Sequence, residues 1–159
     1  MERSTEPSPG ARAASALGLA HTVLDYGQVT SVAEAAVARG VEVADVVKTL
    51  VVKAPPDLVV LVLVPGDRTL AWPKLRALLG SNRCALPDAE TARELTGYER
   101  GTITPLGLNL PVIADERICG RRITLGSGRH GVAIALAADD LITTFSARVA
   151  DVTTSGAVD

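Results

Sequence analysis

The segment Leu58–Val64 reads Leu-Val-Val-Leu-Val-Leu-Val, seven apolar residues without a break. Successive side chains of a strand point to opposite faces, so a strand of this composition is apolar on both. Such a strand has to be covered above and below, which makes it a central strand. Seven residues are far too few to cross a bilayer, which takes about 20, and no longer apolar run occurs. Aromatics make up only 3% of the chain, so Val, Leu, Ile and Ala must fill the core around that strand. A β-branched aliphatic supply favours further strands. At 159 residues the chain is the size of one domain and can bury roughly 68–70% of its unfolded surface without staples.

Turn and cap signals divide the rest. Residues 1–12 are rich in Ser, Pro and Gly and read as a flexible tail, with a short helix over 13–17. His21–Tyr26 reads as a first strand. Ser31-Val-Ala-Glu34 has the form of a capping box, in which Ser31 caps the N3 amide and Glu34 reaches back; it opens a helix that Gly40 closes. Val46–Val52 is a strand that Pro55-Pro56-Asp57 turns back onto Leu58–Val64 as an antiparallel hairpin. A helix follows Trp72-Pro73 and ends at Gly80, Asn82–Leu86 reads as a short strand, and Asp88 caps a helix over 89–96 that ends at Gly97. Strands are expected at 111–115, 122–125, 132–136 and 148–152, with a helix at 138–144. Hairpins mixed with single helices, without a steady βαβ alternation, give an α+β class: a single domain over 13–153 with one mixed, mostly antiparallel sheet flanked by helices, and a C-terminal tail at 154–159.

Several function classes are excluded by composition. The two cysteines, Cys84 and Cys119, form no CxxC, and His21 and His130 are the only histidines, so no four-ligand metal set of usual spacing can be written. The cysteines read as small buried hydrophobes and His21 as structural. The first fifteen residues carry Glu2, Glu6, Pro7 and Pro9 and no apolar run, so no secretory signal is legible and a soluble cytoplasmic protein is expected. Net charge is −2, without the basic surplus of a duplex-binding protein. From Arg93 to His130, however, six arginines face four carboxylates, a local +2 that leaves −4 elsewhere. That window reads either as a solvated face or as contacts for a few phosphates.

Three features could carry chemistry. Lysine is rare, at Lys48, Lys53 and Lys74 beside thirteen arginines. Lys48 interrupts the apolar strand Val46–Val52, sharing a face with Val46 and Leu50 and opposed by Val47, Thr49 and Val51. It is either a lysine snorkelling from a strand end or a cation facing a cleft. The loop Gly97–Gly107 has three glycines and a proline in eleven residues; it is a connector, or a source of backbone N–H donors for an oxyanion. Gly126-Ser-Gly-Arg-His-Gly131 is a polar hairpin tip, or a close approach to a ligand. Neither GxxxxGK[ST] nor GxGxxG occurs in the loop, and Ser127 lacks a nucleophile-elbow context.

Taken in order, Val47-Lys48-Thr49-Leu50-Val51-Val52, then Gly97-Tyr98…Arg100-Gly101…Thr104-Pro105-Leu106-Gly107, then Gly126…Gly128…Gly131 resemble the YbaK/EbsC family. That family includes the editing insertion of bacterial prolyl-tRNA synthetases and free-standing relatives, and the resemblance runs from about Leu17 to Val152. It implies a deacylase that hydrolyses the ester between tRNA, tRNA-Pro in particular, and a small wrong amino acid of the Ala, Cys or Ser type. Lys48 matches the family's active-site lysine and Gly101 the glycine of its substrate-facing loop, which together form the expected catalytic pair. Thr49, Tyr98, Arg100, Thr102, Ile103, Thr104, Pro105, Gly128, Arg129 and His130 are the expected substrate-binding positions. Some members carry a tyrosine early in the first strand, where this chain has Val23 and Leu24 and only later Tyr26; the family's amino-acid specificity is not carried over. No cofactor or metal is implied. The expected partner is the acceptor end of tRNA, with a cognate synthetase as a second candidate, and the expected state a monomer or weak dimer. The rivals are a non-catalytic module of the same fold that binds a nucleotide or a partner, and an esterase acting on a small molecule.

Overall fold

The structure is a computed structural model that describes residues 6–156. Along the chain come α1 (Pro9–Ala16), β1 (Thr22–Asp25), α2 (Val32–Arg39), β2 (Val47–Ala54), β3 (Leu58–Pro65), β4 (Arg68–Leu70), α3 (Trp72–Leu79), α4 (Ala89–Thr96), β5 (Val112–Asp115), β6 (Arg122–Gly126), β7 (Val132–Ala137), α5 (Ala138–Phe145), β8 (Arg148–Ala150) and β9 (Thr153–Ser155). The α+β class holds, with antiparallel pairing dominant, but the strands fall into three ladders instead of one. These are β1-β7-β6, β2-β3-β5-β8 and the pair β4-β9. The β3–β5 and β5–β8 pairs are parallel. A single parallel bridge, Val46 to Thr124, joins the first two ladders. Read across it, the strands run β1-β7-β6-β2-β3-β5-β8.

The apolar strand is central, as its composition demands. In β3 the residues Val60–Pro65 are all buried. Leu61 and Leu63 join Val47, Val51, Ile123, Leu125, Ile134 and Leu136 in one core, closed by α1 and α5 through Ala11, Ala14 and Leu141. Val60, Val62 and Val64 face the other way, into a second core with Val52, Ile113 and Leu75 of α3. A third, smaller core lies on that same side, where Ala35 and Ala36 of α2 meet Val46.

Several boundaries differ from the sequence expectation, each for a local reason. Helix α1 starts at Pro9, inside the expected tail: Ser8 caps it by accepting from the Ala11 N–H at 3.2 Å, and proline suits the first helical turn. Residues 1–5 and 157–159 of the expected tails lie outside the described residues. Ser31 does cap α2, but Glu34 reaches past it to the N–H and hydroxyl of Thr30, both at 2.7 Å. The expected strand 82–86 is a bridge between Ala85 and Lys53. The expected last strand, 148–152, stops at Ala150, and a further strand, Thr153–Ser155, runs into the expected tail and pairs with β4. Cys84 is buried, whereas Cys119 is exposed on a surface corner before Gly120. The Nδ1–H of His21 donates to the Leu19 carbonyl at 2.7 Å, a structural contact.

Candidate active site

Lys48 lies on β2, paired with Val64 of β3. Its register neighbours Leu50↔Val62 and Val52↔Val60 face the second core, so Lys48 stands on that face, where the apolar cover gives way. The ammonium donates to the carbonyl of Arg68 at 3.3 Å. Thr49 points the opposite way, with Val47 and Val51. Its hydroxyl oxygen is buried and has no hydrogen-bond partner among the described residues. It cannot contact a ligand held by Lys48.

The bridge between Val46 and Thr124 decides what lies beside Lys48. Stepping two residues along both parallel strands leads to Lys48 on β2 and Gly126 on β6, on one face. A Cβ on Gly126 would stand 2.8 Å from the carbonyl oxygens of both Thr102 and Ile103. The glycine loop therefore rests against Gly126 on the Lys48 face. The Gly128 N–H holds it there, donating to the Thr102 carbonyl at 2.9 Å. Lys48 and the loop, distant in sequence, are brought to adjoining positions by one parallel strand step.

The loop's interior is spent on its own shape. Tyr98 is buried and donates its hydroxyl to the Leu106 carbonyl at 2.7 Å. Burial pushes that hydroxyl above its ordinary pKa, while Arg12 nearby draws it back in part, so Tyr98 is a neutral donor. Gly107 and Gly128 leave room for its ring, since a Cβ at either would come within 2.7 Å of Tyr98 atoms. Thr102 donates its hydroxyl to the Glu99 carbonyl at 2.7 Å, and its N–H goes to the same carbonyl at 3.0 Å. Thr104 and Pro105 are buried. Of the expected substrate-facing positions, Tyr98, Thr102, Thr104 and Pro105 thus brace the loop internally. The expectation that loop amides turn toward a ligand is corrected at Thr102: its amide is consumed, and carbonyls face Gly126. Gly101 and Arg100 are exposed, and Ile103 is half-buried. Gly101 has φ +89°, and the nearest atom to a Cβ there is His130 Cε1 at 4.0 Å. Backbone conformation, not crowding, calls for glycine there.

Two cavities flank this junction. One, of about 500 Å³, lies under the end of α2 and is lined by Gly40, Val41, Glu42, Asp45, Arg122, Thr124 and Ala135. Thr124 and Ala135 are a cross-strand pair, so this cavity shares the Lys48 face of the sheet. Arg39 braces its roof, donating to Thr124 Oγ1 at 3.0 Å and to the Tyr26 hydroxyl at 2.9 Å. The guanidinium also stacks 5.2 Å from the Tyr26 ring centre. The other cavity, of about 340 Å³, joins Arg93, Gly97, Glu99, Thr102, Gly128, Arg129 and His130. His130 Nε2 lies 3.0 Å from Glu99 Oε2. Arg129 donates to the carbonyls of Glu6 at 2.6 Å and Pro7 at 3.3 Å, tying the N-terminal segment to the hairpin. The sequence reading named Gly126 only as part of the hairpin motif and not among the substrate-binding positions, and it offered no signal for Thr124 or Ala135. No group of three or more potential metal ligands occurs among the described residues.

Residues 27–144 match the family model described as the aminoacyl-tRNA editing domain. The proline–tRNA ligase of Thermosipho melanesiensis is 38% identical over 91 residues, 57% of this chain, which spans only 16% of that ligase's length. A provisionally assigned Cys-tRNA(Pro)/Cys-tRNA(Cys) deacylase of Enterococcus faecalis, EbsC, is 28% identical over 82% of this chain and 79% of its own. Among solved structures, a provisionally assigned trans-editing enzyme for prolyl-tRNA synthetase superposes with a TM-score of 0.82. It is 30% identical and covers 94% of this chain and 100% of that one.

Two substitutions test the local geometry. Gly126→Ala forces the loop off the sheet, so hydrogen exchange at the Gly128 amide should accelerate by on the order of tenfold; unchanged exchange would mean that the loop does not rest there. Thr49→Val removes an unpaired buried hydroxyl and should raise unfolding stability by about 1 kcal/mol. A loss of stability in denaturant titration would show that the hydroxyl has a partner.

Proposed function

The chain belongs to the aminoacyl-tRNA editing domain family, and we propose that it is a trans-editing deacylase that hydrolyses a small amino acid from mischarged tRNA, with tRNA-Pro as its first candidate. The observation that carries this reading is the meeting of Lys48 with the glycine loop at Gly126. The 3′-terminal adenosine and its ester enter the cleft between them. Water adds to the ester carbonyl, the negative charge develops on the carbonyl oxygen, and the bond to the ribose oxygen breaks. The products are a free amino acid and tRNA with a restored hydroxyl. The Lys48 ammonium supplies positive charge where the oxyanion forms, a preorganised interaction stronger in the transition state than in the substrate. The carbonyls of Thr102 and Ile103 offer acceptors to the attacking water or to the substrate's ammonium or hydroxyl groups. The cavity at Thr124 and Ala135 receives the amino-acid side chain and excludes large ones sterically.

Lys48→Ala should lower single-turnover deacylation by on the order of 10²-fold, about 3 kcal/mol, with an unchanged melting temperature. Lys48→Arg should not restore the rate, because a planar guanidinium carries its charge differently from a compact ammonium. Full activity in Lys48→Ala would remove Lys48 from the site.

The cavity of Arg93, Arg129 and His130 supports a second part of the proposal, that the acceptor strand's phosphates are held there. Neutralising two or three phosphates on a single strand gives a log–log salt slope of roughly −1.5 to −2. Rate constants over KM measured against salt, for whole tRNA and an acceptor-stem minihelix, should give this slope for both. An inert minihelix, or a much steeper slope, would mean that distant parts of the tRNA are read.

A further inference from the structure

Lys48 donates to a carbonyl that is itself held from behind. Arg68, whose carbonyl accepts the Lys48 ammonium, opens the three-residue strand β4, which pairs with β9. The Arg68 side chain crosses to that partner strand: Nε donates to Thr153 Oγ1 at 2.7 Å and Nη2 to the Thr153 carbonyl at 3.3 Å. Thr153 Oγ1 in turn donates to Asp115 Oδ2 at 2.9 Å. Both Asp115 and Thr153 are fully buried. The Asp115 carboxylate also accepts from the N–H of Val152 at 3.1 Å, from the N–H of Arg117 at 3.1 Å and from Arg117 Nη1 at 3.2 Å. At the outer end, Arg117 Nη1 reaches Asp151 at 2.9 Å, and Lys74 donates to the same carboxylate.

A buried carboxylate with this many donors is fixed in position. It is also a costly way to close the end of a sheet, since well-packed apolar residues commonly hold such places at no loss of stability. Its hydrogen bonds lead in one direction that packing alone does not require, through Thr153 and Arg68 to Lys48. We infer that Asp115 and Thr153 are positioning residues for Lys48. Asp115 fixes Thr153, Thr153 fixes the guanidinium of Arg68, and Arg68 then presents its carbonyl at a set place. That acceptor determines where the Lys48 ammonium points across the cleft. The inference rests on the reading of Lys48 as the charge that meets the oxyanion.

A double-mutant cycle tests it. Thr153→Val keeps the volume and loses the hydroxyl, and it should lower kcat about tenfold with KM unchanged, as a displaced charge would. Thr153→Ser, which keeps the hydroxyl, should restore the rate. Arg68→Met, which keeps the backbone and cuts the same link from its more exposed end, should reproduce the Thr153→Val loss and serves where Thr153→Val fails to fold. In a Lys48→Ala background neither substitution should lower the remaining rate further. Wild-type kcat in both single variants, with Lys48→Ala inert, would overturn the positioning role alone. Equal losses with and without Lys48 would also overturn it, because they would reflect general loosening. A fully active Lys48→Ala would overturn the reading of Lys48, and the positioning role with it.

Discussion

The pairing of Val46 with Thr124 is the joint on which the arrangement turns. Without it the chain would contain two separate sheets, one carrying Lys48 and the other carrying the hairpin that holds the glycine loop. With it, β2 and β6 run side by side in parallel, and Lys48 and Gly126 come to one face. The joint is a single bridge, but packing supports it from both sides. Val47, Val51, Ile123 and Leu125 close a continuous core beneath it, and α2 covers Val46 from above. The absence of a side chain at Gly126 then lets the loop backbone settle against the sheet.

Much of this was legible in the residues. The seven-residue apolar run could only be central, and it is. Asp88 and Ser31 signalled the helix starts through the cap that each side chain supplies, and Gly40, Gly80 and Gly97 signalled the ends by adopting φ of 72°, 65° and 78°. Period-two alternation gave the faces of Lys48 and Thr49 correctly. It did not carry the consequence far enough, for a residue opposite Lys48 cannot share its ligand, and Thr49 faces the first core. What remained illegible depends on contacts between distant segments. No local pattern reveals that Thr124 stands beside Val46, or that Ser155 pairs back to Arg68 across eighty-seven residues. Nor does composition tell a glycine needed for its own φ, such as Gly101, from one needed by a neighbour, such as Gly128 beneath Tyr98.

The glycine loop illustrates a division of labour between groups that shape and groups that act. Its motif residues Tyr98, Thr102, Thr104 and Pro105 are turned inward, and their hydrogen bonds or packing serve the loop itself. What the loop offers outward is backbone, as carbonyls near Gly126 and the exposed turn at Gly101, together with the side chains of Glu99 and Arg100. Within the loop, Glu99 meets His130 and Arg100 is exposed, while Lys48 stands on one side of it and Arg93 and Arg129 on the other. Under the proposed reading, a compact ammonium suits a single oxyanion and a planar guanidinium suits a phosphate.

The central claim is that a ligand made of adenosine and an amino acid binds on the Lys48 face, between β2 and the glycine loop. Titrating the protein with a non-hydrolysable 3′-aminoacylamino-3′-deoxyadenosine, while following backbone amide and lysine side-chain NMR signals, tests it most directly. The account predicts that the largest shifts fall on Lys48, Gly101, Thr102, Ile103 and Gly126, with smaller ones at Thr124 and Ala135. Shifts confined to other surfaces, with Lys48 and the loop unmoved at saturation, would contradict it.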